Sequence, residues 1–233
     1  MKRAGALSGI VVADFSRVLA GPLCTQLLAD AGARVIKIEE PLRGDETRHW
    51  GPPWAGDVSA YFLSINRNKE SIALDLKRGG DVAREIIERA DVVVDNFLPP
   101  QRRALKLDRI RKINRRVVHC IISGYDSDTA DADAPGYALL AEAGAGLMSI
   151  TGEADGTPMK VGVALSDVLT AHYAFGAIVT ALYGGKGATL EISLFAATLA
   201  SLANVAQNAL VTGNEAKRYG NEHPSIVPYQ LFH

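Results

Sequence analysis

The apolar positions of this chain fall into short β-branched runs separated by stretches with helical spacing. Residues 10–15 (IVVADF) predict a buried strand, and residues 22–31 predict a helix opening on Pro22, since a first turn has N–H groups to spare. Gly32 ends that helix and residues 34–38 (RVIKI) supply the next strand, completing a β-α-β unit. The alternation then continues. Residues 71–74 read as strand, 81–90 as a helix with Val82, Ile86 and Ile87 on one face, 91–94 as strand, and 117–122 as another buried strand. An Ala-rich stretch from Asp167 to Tyr183 predicts a buried helix. Residues 184–187 then predict a turn, 189–194 a strand, and 195–211 a second Ala/Leu helix. The pattern as a whole predicts an α/β fold, a Rossmann-like parallel sheet with helices on both faces.

Two segments break the pattern. Residues 43–69 are rich in Gly, Pro, Trp and charge and predict a long surface excursion of the kind that carries function. Residues 124–135 hold Asp126, Asp128, Asp131 and Asp133 and almost nothing apolar. Residues 213–233 contain no closing element, which predicts a large domain over 1–200 and the start of a linker over 201–233.

Composition narrows the chemistry. A hydrophobic content of 48% suits a packed core, and 25 Lys and Arg against 26 Asp and Glu give no general attraction for nucleic acid. Cys24 and Cys120 sit apart in apolar surroundings, so buried thiols in the cytoplasm are expected rather than a disulfide. No uninterrupted apolar run of about 18 residues is present, and no membrane partner is expected. Gly5, Gly9 and Gly21 do not form a GxGxxG loop after a strand, which disfavours a nicotinamide enzyme. His49, His119, His172, His223 and His233 show no metal-ligand spacing, so no metal is expected, and His119 within VVHCII reads as a core histidine.

Several phrases occur in order: DFSRVLAGPLCTQLLADAGARVIKIE, RGDETR, NRNKESIALDLK, DVVVDNF, ISGY, PGYALLAEAGAGLMSITG and VGVALSDV. Together they resemble the class III CoA-transferase family, which also contains formyl-CoA transferases and acyl-CoA racemases. The resemblance covers nearly the whole chain. It implies the large, CoA-binding domain of an enzyme that moves CoA from an acyl-CoA to a carboxylic acid. CoA and acyl-CoA would be substrates, with no permanently bound cofactor, and the expected assembly is a homodimer interlocked like two rings. Family members continue through a small domain and a C-terminal return that carries a glycine-rich loop, and neither is expected before His233.

Chemistry alone reads Ser166 or Asp167 as the cap of the following helix. The resemblance instead makes Asp167 the nucleophile, passing through an acyl-aspartyl anhydride and an aspartyl-CoA thioester. It places Leu74, Lys77, Asn96 and Phe97 along the CoA site, where lysine can meet phosphate and phenylalanine can pack on adenine. Arg103 stands one position from the family's arginine and joins the expected cofactor-binding set, along with Leu19 and Tyr137. Leu19 and Ala138 replace residues typical of formyl-CoA transferases, and Tyr137-Ala138 replaces the His-Asp of the racemases, so the alternatives to CoA transfer are an acyl-CoA racemase or epimerase and a non-catalytic, truncated family fragment.

Overall fold

The computed structural model describes residues 5–232; His233 and the outer limits of the two expected segments, 1 and 233, lie outside them. The elements run β1 (Val11–Asp14), α1 (Ala20–Asp30), β2 (Arg34–Glu39), a hairpin of β3 (Trp54–Ala55) and β4 (Val58–Ser59), α2 (Ala60–Ile65), and β5 (Lys69–Ala73). Then follow α3 (Gly80–Arg89), β6 (Val92–Asp95), α4 (Pro99–Ala104), α5 (Ile110–Ile113), β7 (Val118–Ser123) and α6 (Ala138–Gly144). The last four are α7 (Leu165–Tyr183), β8 (Ala188–Ser193), α8 (Leu194–Ser201) and α9 (Ala203–Thr212).

Six strands form one parallel sheet in the order β5-β2-β1-β6-β7-β8. Counted along the chain this is the doubly wound order, which confirms the Rossmann-like expectation. Alternate residues of the central strands feed two cores. Val12, Val35, Val92, Val94, Val118, Cys120 and Ile122 pack with Cys24 and Leu28 of α1 and with Ala171, Ala174 and Ile178 of α7. Their neighbours Ala13, Ile38 and Val93 pack on the opposite face with Ala83, Ile87 and Ile110. Strand β6 is buried on both faces, as its unbroken valine run requires. At the β8 edge the cover thins, and Thr189 and Glu191 are exposed.

Several element limits differ from the pattern. Helix α1 begins at Ala20, which puts Pro22 third rather than first, still within the turn that lacks N–H acceptors. Gly32 does close it, with φ +105°. On α3 the buried residues are Ala83 and Ile87, while Val82 is exposed, because the small Ala83 lets the helix lie close to β1. Helix α7 is buried on one face only, and His172, Tyr173 and Gly176 look outward. Its length and apolar composition would suit a membrane span, but it packs against α1 and the sheet and carries Asp167 in its first turn. The expected single helix over 195–211 is two helices, α8 and α9, bent 75° with Ala203 at φ +42°. Both thiols, Cys24 and Cys120, are free and buried, as expected.

Candidate active site

Crossovers leaving the C-terminal ends of β1 and β6 go to opposite faces of the sheet, so a crevice opens where the order reverses. Asp14 and Asp95 end those two strands and are fully buried. Asn96, just beyond β6, ties them together: its Nδ2 donates to the Arg17 carbonyl at 2.8 Å and its Oδ1 accepts from the Arg17 N–H at 2.9 Å.

Two clefts share this edge. The first, about 230 Å³, is lined by Arg17, Ala20, Asn96, Phe97, Tyr137 and Asp167, with Glu46 and Trp50 contributed by the long 43–69 loop. The second, about 530 Å³, is lined by Leu74, Lys77, Phe97, Gln101, Glu40 and again Arg17. The expected residues therefore divide, with Asp167, Asn96 and Tyr137 in one cleft, Leu74 and Lys77 in the other, and Phe97 in both. Leu19 is the residue before α1, and it lines neither cleft although Val18 and Ala20 line the first. Arg103 is exposed on α4 and lines neither, because its neighbour Arg102 takes the inward position. Arg102 Nε binds Asp95 Oδ1 at 3.0 Å and its NH2 donates to the Phe97 carbonyl at 2.9 Å. The other Asp95 oxygen meets His119 Nε2 at 2.7 Å, so His119 is a core histidine with a partner.

Asp167 is the third residue of α7, and the capping position belongs to Ala164, which has no side chain able to serve. Glu142 of α6 serves instead. It is buried and accepts from the N–H groups of Leu165 and Val161, each at 3.2 Å. Asp167 faces the cleft, with its own backbone N–H and that of Ala20 beside its carboxylate. Burial pushes its carboxyl up to about 6; the backbone N–H groups of Ala20 and Asp167 pull it back, and the Glu142 charge adds to the rise. Burial likewise pushes the Tyr61 hydroxyl up to about 12, helped by the charges of Asp167 and Asp45. Tyr61 also packs edge-on against Trp50, with ring centroids 5.2 Å apart.

Beneath the first cleft lies a buried network that pattern reading missed. Asp14 accepts from Ser16 N–H and from the Ser16 and Thr25 hydroxyls. Lys69 Nζ reaches Asp14 at 3.1 Å, the Pro22 carbonyl at 2.7 Å and Asn66 at 2.9 Å. Lys37 Nζ pairs with Asp45 at 2.9 Å and donates to the Ser16 carbonyl at 2.9 Å. Burial alone would raise Asp14, but Lys69 and Lys37 bring it down to about 2. Burial lowers Lys69 to about 8 against the pull of Asp14. Further along, Glu39 takes both nitrogens of the Arg48 fork at 2.7 Å and the Ser71 hydroxyl, which overcome burial and hold its carboxyl near about 2. The Asp14 and Lys37 contacts hold Ser16 at the head of the turn 16–19 that carries Arg17 into the crevice. Among the described residues no group of three or more His, Cys, Asp or Glu is arranged to hold a metal.

The profile of CoA-transferase family III matches residues 7–233. The human protein named succinyl-CoA:glutarate CoA-transferase is 43% identical over 97% of this chain and 53% of its own length. An acetyl-CoA:oxalate CoA-transferase from Acetobacter aceti is 40% identical over 99% of this chain and 61% of its own. Among solved structures, a CAIB/BAIF family protein from Brucella suis superposes with TM-score 0.92 at 38% identity, covering 98% of this chain and 63% of that one. The chain thus spans a little over half the length of the curated relatives it matches.

Proposed function

The chain belongs to CoA-transferase family III, and from that premise we propose that the whole protein moves CoA from an acyl-CoA to a free carboxylic acid, with Asp167 as the nucleophile. One observation carries the reading. Asp167 stands half-buried on the wall of the switch-point cleft, with its carboxyl raised to about 6. Such a group is ionised at neutral pH yet more basic than a solvated aspartate, as a carboxylate nucleophile should be.

In the proposed cycle an Asp167 oxygen attacks the thioester carbonyl, the C–S bond breaks, and CoA thiolate leaves an acyl-aspartyl anhydride. The thiolate then attacks the Asp167 carbonyl carbon and expels the donor carboxylate, giving an aspartyl-CoA thioester. An acceptor carboxylate opens that thioester to a second anhydride. The thiolate attacks its acceptor-side carbonyl, and Asp167 departs as carboxylate. No proton is gained or lost overall. The thiolate must be held close throughout, and the long CoA tail supplies the binding energy for this. The adenine end is assigned to the cleft of Leu74, Lys77 and Phe97.

Relatives named for glutarate and oxalate support dicarboxylic acids as the acceptor class. Tyr137 on the cleft and Ala138 at the head of α6 offer no base for an α-proton, which supports transfer over racemisation. The exposed Leu210 and Val211 of α9 support an assembly in which a second copy covers them, and residues 201–233 fit a linker that leaves the domain. The two buried free thiols fit a cytoplasmic protein. Incubation with succinyl-CoA followed by hydroxylamine and peptide mass spectrometry tests the central claim. A hydroxamate on Asp167 is expected, and undiminished transfer by Asp167→Asn would overturn it.

A further inference from the structure

We infer that Arg17 recognises the diphosphate of the CoA thioester, so that the two clefts it joins hold opposite ends of one substrate. The inference rests on the reading above and adds a residue to it. Arg17 and Phe97 are the residues common to both clefts. Among the lining residues of the Asp167 cleft, Arg17 is the sole Lys, Arg or His, and in the second cleft it is joined by Lys77.

Its guanidinium is unspent. The other arginines turned inward are committed, Arg48 to Glu39 and Arg102 to Asp95. Among the described residues no carboxylate or carbonyl pairs with the Arg17 guanidinium, whose neighbour is the Phe97 ring with its centroid 5.5 Å away. The backbone beneath it is held from both sides, by the paired Asn96 bonds and by Lys37 on the adjoining Ser16 carbonyl. A half-buried cation on a fixed base, with five donors and no acceptor, is arranged for an anion from outside.

The shape of CoA selects which anion. Its thioester and its adenosine lie at opposite ends, with the pantetheine arm and the diphosphate between them. A ligand reaching from Asp167 to Lys77 crosses the wall on which Arg17 stands. The planar guanidinium matches phosphate oxygens in pairs, and the edge of a doubly wound sheet at its switch point is where such groups bind. The competing anion is the distal carboxylate of a dicarboxylic acceptor, which would occupy the Asp167 cleft alone.

The test compares the whole protein with its Arg17→Ala and Arg17→Lys variants, using succinyl-CoA, succinyl-pantetheine (which lacks the diphosphate) and a glutarate acceptor. Calorimetric binding of CoA and of pantetheine runs beside the kinetics, so the result does not depend on turnover. Arg17→Ala should weaken CoA and raise the succinyl-CoA KM about 10- to 100-fold, the span of one charge-assisted contact. It should leave pantetheine binding and the glutarate KM unchanged, and lysine should restore part of the loss. Equal losses on the CoA and pantetheine compounds would overturn the inference, as would an effect confined to the glutarate KM. Failure to trap Asp167 would sink the proposed mechanism without touching the binding result.

Discussion

Asn96 grips Arg17 with both ends of its amide, donating to one backbone group and accepting from the other across the mouth of the sheet. The clamp extends the β1–β6 pairing, in which Phe15 N–H donates to the Val94 carbonyl at 2.8 Å, past the ends of the strands. Asn96→Asp keeps the acceptor but loses the donor. We expect a loss of about 1–3 kcal/mol in urea unfolding, the range for a polar group left without its partner, and a weaker acyl-CoA KM from the loosened turn. A substitution without effect on either would show that Asp14 and Lys37, through Ser16, suffice to hold the turn.

Asp167 is predicted to cost stability. Its folded carboxyl lies near about 6 against an ordinary value of 3.8, so the native state binds the proton more tightly than the unfolded chain. Stability from this group therefore falls as pH rises between those values, and the full cost is present above them. Asp167→Asn should abolish transfer yet raise the unfolding free energy at pH 7 by about 1–2 kcal/mol, discounted for partial exposure. Equilibrium denaturation of the two proteins at pH 7 and at pH 4 checks both sign and window, with the gain expected only at the higher pH.

The same titration sets the pH dependence of the reaction. In the proposed cycle only ionised Asp167 attacks, so the kcat/KM for acyl-CoA should climb tenfold per pH unit below about 6 and level off above it. A plateau extending down to pH 4 would mean that bound water solvates the carboxylate far more than its surroundings indicate.

Acid should unfold the domain through Asp14 and Glu39. Both carboxyls are held near about 2 in the fold, so the stability they lend is present above the ordinary carboxylate range and lost as pH falls through it toward 2. Lys69→Met is expected to be more damaging, because it leaves Asp14 buried with Lys37 as its remaining cation. A loss of about 3–5 kcal/mol by urea denaturation at pH 7 is the expected outcome.

The strands were legible because their signals are local. Val92 to Val94 form an unbroken apolar run, and an interior parallel strand needs no other instruction. Asp167 was legible as the candidate nucleophile through the phrase VALSDV, but the contact of Glu142 with the head of α7 was not, since Glu142 stands far from Leu165 in sequence. The Asp14–Lys69 pair was hidden for the same reason, since strand order brings its charges together, and Lys37–Asp45 because the chain turns back on itself after β2. Arg17 lay within a quoted phrase, and its position just past β1, beside the reversal of strand order, was the signal that could have found it. The break between α8 and α9, bent 75° at Ala203 with φ +42°, leaves no mark in a continuous Ala/Leu pattern.

Cys24 and Cys120 give the domain a built-in clock. One thiol lies on α1 and the other on β7, both in the core between helix and sheet, and burial pushes both well above the ordinary thiol range. A reagent that attacks thiolates must wait for α1 to lift from the sheet or for the whole domain to open. Labelling rates in excess reagent would then time those openings one position at a time. Matching rates at the two cysteines would mean that helix and sheet part in a single event, whereas faster labelling at Cys24 would identify α1, the helix that meets Asp167, as the first piece to leave.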